Sequence, residues 1–559
     1  MSSNPHSTHR QDPRHKDSRE VEWQLASNDL ASVRRWLDDH GTIDGLKLEP
    51  QSTLTISDTY FDTDDWRIHR AGFALRIRSE SGKAEATLKS LRSSSTEMAN
   101  RREVTETLEE GTESGSIAHS TGPVGMRVQA VSGAQQLQPL FEVHTSRQRY
   151  AVRAVNEDEP LGEIALDETV IARPHGQPQT SIQRVEVEAL TDVHEPLQSL
   201  VKALRTDLSL QSASDSKYSQ GLKSVGLAPP PSPEFAPTAV DSTMWMGEIA
   251  LANLRRHLSS WYRHEPGARL GDDPEELHDL RVAGRRLDAI LRQFSVYLPA
   301  SLVRIRGTLK KVMRVLGEAR DLDVALLEIN AFSRGLPEED QGNIQPLLEH
   351  LSSERARARV KMLATLDASG VQEDLQKLTQ AVIQPSTALA EPSSAAEPNS
   401  AMPTSKAISE LIRGRYKKAR KDANRLTPDS SMDEYHAVRG RVKKLRYAIE
   451  AVEAIIGKPA TEMLRALRRW QEKLGAQQDA DVAGRRLQAF AARPPKGFHA
   501  PTLFLMGQLA AHYARLAAKA RKRHPRTYRK VRARWKTLKS ELEQLVPYEA
   551  PKLGSPPDV

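Results

Sequence analysis

The chain has no cysteine, so disulfides, thiolate metal sites and cysteine nucleophiles are excluded, and a reducing compartment fits the composition. Long apolar runs are missing as well. Nothing approaches the roughly 18 consecutive apolar residues of a membrane-spanning helix. The first eighteen residues, rich in His, Ser, Asp and Arg, lack the apolar segment of a secretory signal, and a soluble, cytoplasmic protein is expected. Aromatic residues reach only 5%, a poor supply for stacking nucleic-acid bases. What is plentiful is charge. With 559 residues, and 81 Lys+Arg against 73 Asp+Glu, the chain is too long for one hydrophobic core and mildly basic overall. The charge is unevenly spread: residues 19–226 hold 23 basic and 32 acidic side chains, and the chain after them is left with a net of about +16. An acidic domain precedes a basic one.

Residues 20–190 contain short alternating segments separated by Gly, Ser, Asp and Pro, the pattern of antiparallel strands, with one helix at Asp29–Asp39. Segments 20–24, 74–78, 101–105, 162–167 and 184–188 all qualify. Their charged members fall at even spacing, as in Glu20/Glu22, Arg76/Arg78, Glu163/Asp167 and Glu186/Glu188, so each pair points to one side of its strand. The run Ala228-Pro229-Pro230-Pro231-Ser232-Pro233 reads as a linker over 227–240. From about residue 241 to 546 helical periodicity dominates, interrupted by an Ala/Ser/Pro/Glu-rich insert at 385–405. Short basic helices are expected to carry Arg521-Lys522-Arg523 and Arg532–Lys536. Residues 1–18 and 547–559 read as disordered tails.

The helical half repeats itself. His278-x2-Arg281-x3-Arg285-Arg286-Leu287 returns as His436-x2-Arg439-x3-Lys443-Lys444-Leu445, and Leu316-Gly317-x3-Asp321-x-Asp323 returns as Leu474-Gly475-x3-Asp479-x-Asp481. The offset is the same, since 436 less 278 and 474 less 316 both give 158. A duplicated helical unit follows. On a helix His278, Arg281 and Arg285 form one stripe, as do His436, Arg439 and Lys443, and the two stripes can face each other. Such a surface suits a polyanion that has no base to stack. The two His lack the companion ligands of a metal site. The four aspartates read as helix caps and orienting partners for Arg or Lys. Arg320 in the first copy becomes Gln478 in the second, so the copies are not equivalent.

Glu20-x-Glu22, Tyr60-Phe61-Asp62-Thr63, Leu75-Arg76-Ile77-Arg78, Thr87-Leu88-Lys89, Leu166-Asp167 and Glu186-Val187-Glu188, in that order, resemble the CYTH family, the triphosphate tunnel metalloenzymes, over residues 19–226. The resemblance implies a closed antiparallel β-barrel. It also implies Mg2+ or Mn2+ on the carboxylates Glu20, Glu22, Glu103, Asp167, Glu186 and Glu188, and triphosphate on Arg76, Arg78, Lys89, Arg147 and Lys217. These residue types suit the task, because hard cations take carboxylate oxygens while guanidinium forks and ammonium groups neutralise phosphates. Two positions depart from the family. Gln24 stands where its opening motif has Lys, and Thr105 stands where a Glu closes Arg-x-Glu-x-Glu. Loss of one electrostatic stabiliser costs on the order of 10² to 10³ in rate, so binding outlasts turnover.

Residues 241–546 are similar to the CHAD family, often fused behind CYTH. That resemblance implies an all-α domain of two duplicated helical bundles with a basic cleft for inorganic polyphosphate, built from His278, Arg281, Arg285, Arg286, Arg320, His436, Arg439, Lys443, Lys444 and Arg446. Association with polyphosphate or polyester granules is a further implication. The combined expectation is α+β and multidomain: a polyphosphate-binding protein with a metal-dependent triphosphate tunnel acting on triphosphate or chain ends. Its alternative is a non-catalytic granule-binding protein with a degenerate tunnel. A nucleic-acid role for the cluster from Arg515 to Arg534 ranks below both, since a basic run is usually a solvated face.

Overall fold

The computed structural model describes residues 15–545 apart from 81–82, 92–98, 109–116, 118–119, 134, 192–193, 230–234, 236, 384–403 and 428, and of residues 15–20 and 99–101 only the backbone. It falls into two compact units, one up to residue 231 and one from 232.

Eleven strands among the described residues build the first unit: β1 (His15–Ser27), β2 (Thr42–Ile43), β3 (Leu46–Pro50), β4 (Leu54–Thr63), β5 (Phe73–Glu80), β6 (Lys83–Ser90), β7 (Ala99–Leu108), β8 (Leu137–Ala154), β9 (Pro160–Ala172), β10 (Pro178–Ala189) and β11 (Gln211–Ser212). They form one antiparallel sheet in the order β2-β3-β8-β4-β5-β6-β7-β1-β10-β9, with β11 on β1 and a further ladder between β8 and β9. Pairing of β1 reaches back to His15 opposite Glu106, into the stretch that composition marks as tail. Alternation sets the faces. Val21, Trp23 and Leu25 of β1 and Val185 and Val187 of β10 pack under helix α1 (Leu30–His40) through Leu30, Val33, Trp36 and Leu37. Asp29 starts that helix by accepting the amides of Ala31 and Ser32 at 3.0 and 3.2 Å.

Helices α2 (Arg67–Arg70), α3 (Pro123–Ser132), α4 (Glu195–Asp207) and α5 (Lys217–Ser224) complete the unit. Buried Asp62 closes the turn into α2 by accepting the amides of Thr63, Ile68 and His69. Helix α5 lies on Tyr60 and Phe141 through Tyr218 and Leu222. A Cβ on Gly221 would stand 2.1 Å from the Phe141 ring, so this close seat, which delivers Lys217 to the sheet, requires glycine.

The second unit is helical among its described residues: α6 (Met246–Leu270), α7 (Pro274–Gln293), α8 (Ala300–Arg304), α9 (Arg306–Ser333), α10 (Glu338–Asp367), α11 (Ser369–Ile383), α12 (Thr404–Ala423), α13 (Met432–Glu450), α14 (Glu453–Ile456), α15 (Lys458–Ala492) and α16 (Ala500–Gln544). The duplication is visible in the packing: α6, α7, α9 and α10 neighbour one another in sequence, as do α12, α13, α15 and α16, and α7 packs on α13. Even the caps repeat at the same offset, with Asp273 holding the Glu275 amide and Ser431 forming a reciprocal pair with Glu434. One core runs through both halves, from Leu254 and Trp261 to Leu467 and Trp470. The insert expected at 385–405 lies outside the described residues up to 403, and α12 already begins at Thr404. The expected end helices are a single one. Leu505, Leu509, Tyr513, Ala517, Ala520, His524, Tyr528, Val531, Leu538 and Leu542 are buried along α16 at spacings of three, four and seven. That continuous stripe carries the helix past Pro525.

Candidate functional site

Residues directly opposed in an antiparallel ladder point to the same side, and the registers carry one charged face across the sheet. Glu22 stands opposite Glu188 and Gln24 opposite Glu186. Arg184 pairs in register with Asp167, and Asp167 with Arg147. Asp58 meets Arg78, Tyr60 meets Arg76, Arg76 meets Thr87, and Thr87 meets Thr105. Lys89 lies opposite Glu103. The five expected triphosphate cations are brought to this face, Lys217 arriving from α5. The backbone of Glu20 lies opposite Arg101, but its side chain is outside the described residues.

The opposite charges neutralise one another in three groups. Arg147 makes a bidentate pair with fully buried Asp167 at 2.8 and 2.7 Å and reaches Glu186 at 2.6 Å. Lys217 also joins Asp167, and Glu186 at 3.0 Å. Burial alone would raise the Glu186 carboxyl, but Lys217, Arg147 and Arg184 hold it well below the usual carboxylate range. In the second group Arg78 pairs with buried Asp58 at 2.8 Å, and Arg76 approaches it at 3.9 Å. Burial works against that carboxylate too, and the two guanidiniums overcome it. In the third, Lys89 bridges Glu103 at 2.9 Å and Glu22 at 3.4 Å.

In the third group carboxylates outnumber the cation, with Glu188 opposite Glu22 in the ladder. Burial raises the Glu188 carboxyl; Glu22 and Glu103 raise it further, and Lys89 opposes them. Three hard carboxylates around one lysine leave an excess of negative charge that Mg2+ or Mn2+ would relieve. Asp167 and Glu186, also expected as ligands, are instead committed to Arg147 and Lys217. Among the described residues no group of three or more His, Cys, Asp or Glu is placed to hold a metal.

Two residues of this face escaped sequence reasoning. Asp58 was legible from its even spacing with Tyr60. Arg184 was legible as the first member of Arg184-Val185-Glu186-Val187-Glu188, where i, i+2 and i+4 share a side. Gln24 donates to Glu22 at 3.0 Å and accepts from Arg184 at 3.3 Å.

In the helical unit the two stripes meet. Burial and neighbouring Arg285 together lower the Arg281 guanidinium to about 10. Arg285 of α7 is also felt by Arg439 and Lys443 of α13, and burial with Arg439 and Arg285 brings the Lys443 ammonium to about 7. Beneath the cations lie Asp321 and Asp479, both raised by burial against the pull of Arg281 and Arg439, and Asp479 also feels Asp321 across the halves. The Leu-Gly pairs explain how the arginines fit. Arg281 occupies the space a side chain at Gly317 would need, with its Nη1 2.5 Å from that Cβ position, and Arg439 lies 3.5 Å from the one at Gly475.

The aspartates are not helix caps. Asp321 and Asp323 lie inside α9, and Asp479 and Asp481 inside α15. Orienting arginine is what they do: Asp323 takes Arg355 Nε at 2.5 Å and Asp481 takes Arg521 at 3.4 Å.

Other residues of the expected cleft diverge. Arg286 and Arg446 turn to Glu450 at 3.6 and 3.8 Å. Arg286 also lines a cavity of about 140 Å³ with His257, Tyr447 and Arg468. Lys444 neighbours Arg292, Arg441 and Arg415 on another side of α13. Arg320 is tied to Glu275 and the Pro274 carbonyl, yet stays near enough to His278 to lower its pKa after burial has done so. His436 is exposed. Gln478 accepts from Arg439 at 2.9 Å, a contact Arg320 could not accept in the first copy. Apart from Arg521, which pairs with Asp481, the basic residues from Arg515 to Arg534 are exposed along α16.

Residues 33–221 match the CYTH domain and residues 252–488 the CHAD domain. No curated protein matches. Among solved structures, the CHAD domain from Ricinus communis is 25% identical and covers 57% of this chain and 98% of its own, with a TM-score of 0.42. PptA from Streptomyces chartreusis is 20% identical over 51% of this chain and 100% of its own, TM-score 0.39. HpAC1 from Hippeastrum, an adenylyl cyclase candidate described as having a dominant triphosphatase activity, is 19% identical over 38% of this chain and 98% of its own, TM-score 0.29. The chain thus carries a CYTH domain followed by a CHAD domain over these residues.

Proposed function

We propose that the helical unit binds inorganic polyphosphate between α7 and α13, and that the strand unit binds triphosphate with Mg2+ or Mn2+ in a closed tunnel. The ladder order returns on itself through β8 and β9, which supports closure and would turn the charged face inward. The observation that carries the proposal is the meeting of Arg281 and Arg285 with Arg439 and Lys443 from the other copy. Partly buried cations that depress one another's pKa gain most from a polyanion, which reverses their mutual repulsion. In the tunnel, Arg76, Arg78, Lys89, Arg147 and Lys217 would exchange carboxylates for phosphate oxygens, and the carboxylates so released would hold metal. The metal would polarise a phosphoryl oxygen and orient water.

Gln24 and Thr105 favour binding over rapid turnover, because a neutral amide and a hydroxyl stand among groups that otherwise carry charge. Phosphate release from inorganic triphosphate and ATP with Mg2+ or Mn2+ tests this, beside a polyphosphate-retention assay on the same preparation. Arg281→Ala plus Arg439→Ala should weaken polyphosphate binding by at least about tenfold, since each hydrogen bond to a charged group is worth roughly 1.5–3 kcal/mol. Unchanged retention would refute the cleft. No phosphate release from the wild type, with release created by Gln24→Lys, marks the tunnel as a binding module.

A further inference from the structure

Arg184 differs from every other cation on the charged face. It is 3% exposed, yet its donors go only to neutral acceptors: Gln24 Oε1 at 3.3 Å, the Asp215 carbonyl at 2.5 Å and Gln220 Oε1 at 2.7 Å. Among the described residues no carboxylate lies within ion-pair distance of it, whereas Arg76, Arg78, Lys89, Arg147 and Lys217 each have one. A buried charge without an ion-pair partner is costly, even where Glu186, Glu22 and Asp167 act on it through space. Its three partners are not random. Gln24 is the neutral residue beside Glu22. Asp215 lies two residues before Lys217, and Gln220 lies within the helix that carries Lys217 to Asp167 and Glu186.

We infer that Arg184 is the positioning residue of this face: it fixes Gln24 and the start of α5 so that Lys217 reaches the phosphates, and it adds positive charge that is hydrogen-bonded to no carboxylate. The inference rests on reading the face as a triphosphate site. Gln24 turns its amide nitrogen to Glu22 because its oxygen is held by Arg184, so the neutral side chain transmits the charge behind it. A phosphate arriving at Lys217 meets an ammonium held by a helix that Arg184 has already anchored, and little further ordering is needed to bind it.

The test is calorimetric binding of inorganic triphosphate to the full chain in EDTA, where the cations act without metal and turnover does not interfere. Arg184→Gln should lower affinity on the order of tenfold, and adding Gln24→Lys to that variant should restore part of it by returning a charge next door. Arg184→Lys and Lys217→Gln should be non-additive, the double variant losing less than the product of the single losses, because one acts through the other. Full affinity in Arg184→Gln, or no recovery with Gln24→Lys together with independent losses in the cycle, overturns the inference. If Arg184→Gln does not fold, the cycle built on Arg184→Lys decides alone. Loss with Arg76→Ala but none with either Arg184 variant removes the inference and leaves the site standing. Absence of triphosphate binding by the wild type removes both.

Discussion

The two Leu-Gly pairs offer a test in which one substitution made at equivalent positions should have different consequences. A methyl at Gly317 would sit 2.5 Å from Arg281 Nη1, whereas a methyl at Gly475 would meet Arg439 at 3.5 Å, an ordinary contact. Both glycines lie inside helices, where glycine costs about 0.5–1 kcal/mol relative to alanine. Gly475→Ala should therefore raise the melting temperature by about 2 °C, the shift expected of a unit this size, and leave polyphosphate affinity within about twofold. Gly317→Ala meets the far end of a flexible side chain, so the guanidinium swings aside and α9 stays in place. Its melting temperature should change little. Its polyphosphate affinity should fall on the order of tenfold, about 1.4 kcal/mol, the value of one displaced charged contact. Anisotropy titrations of a labelled polyphosphate at one fixed salt concentration read the effect, with Arg281→Ala as the ceiling. Adding Gly317→Ala to Arg281→Ala should then cost nothing more. Full affinity in Gly317→Ala, or an equal loss in Gly475→Ala, would refute the role given to Arg281.

Lys443 should make the proposed cleft sensitive to pH. Burial, Arg439 and Arg285 lower its ammonium to about 7 in the free protein, so the charged form strains the fold below pH 7 and stability recovers as pH rises from there toward the ordinary lysine value. A bound polyanion restores the proton. Affinity should fall by up to about tenfold per pH unit above 7, with proton uptake visible as a binding enthalpy that depends on buffer. Lys443→Arg should abolish the uptake; no uptake by the wild type would reject the placement of Lys443. In the strand unit, burial, Glu22 and Glu103 raise the Glu188 carboxyl. The stability it contributes is present at low pH and lost as pH rises through its folded pKa. Glu188→Gln should therefore melt higher than the wild type in EDTA at neutral pH, an advantage that fades on acidification. It should also lose the stabilisation that Mg2+ gives the wild type. Equal Mg2+ stabilisation in both proteins would place the metal elsewhere.

Much of the architecture was legible because two periodicities are written plainly into the chain. Even spacing of charges marked one side of each strand, and the ladders carry those sides round to a common face. The 158-residue offset marked two helical copies, and their stripes do meet. Pairing within the face was not legible. Asp167 looks like any other carboxylate in sequence, and only the ladders place it between Arg147 and Lys217, away from Glu22, Glu103 and Glu188. Arg286, Lys444 and Arg446 follow the stripe closely in sequence, but steps of one and three residues turn side chains by about 100° and 300°, enough to take them to Glu450 or to the Arg292 side.

The errors at the helix ends share one physical origin. Glycine followed by aspartates reads locally as the end of one helix and the start of the next, and a basic run around Pro525 reads as a break. Tertiary packing overrides both tendencies, through the unbroken apolar stripe of α16 and through Arg281, which fills the space beside Gly317. A helix-interior glycine is a local fault unless something uses the room it leaves. Here the fault occurs twice at one offset: Arg281 of the adjoining helix occupies the space at Gly317, while Arg439 comes to ordinary contact distance at Gly475. The position where local propensity is violated in both copies therefore lies beside an arginine of the proposed cleft.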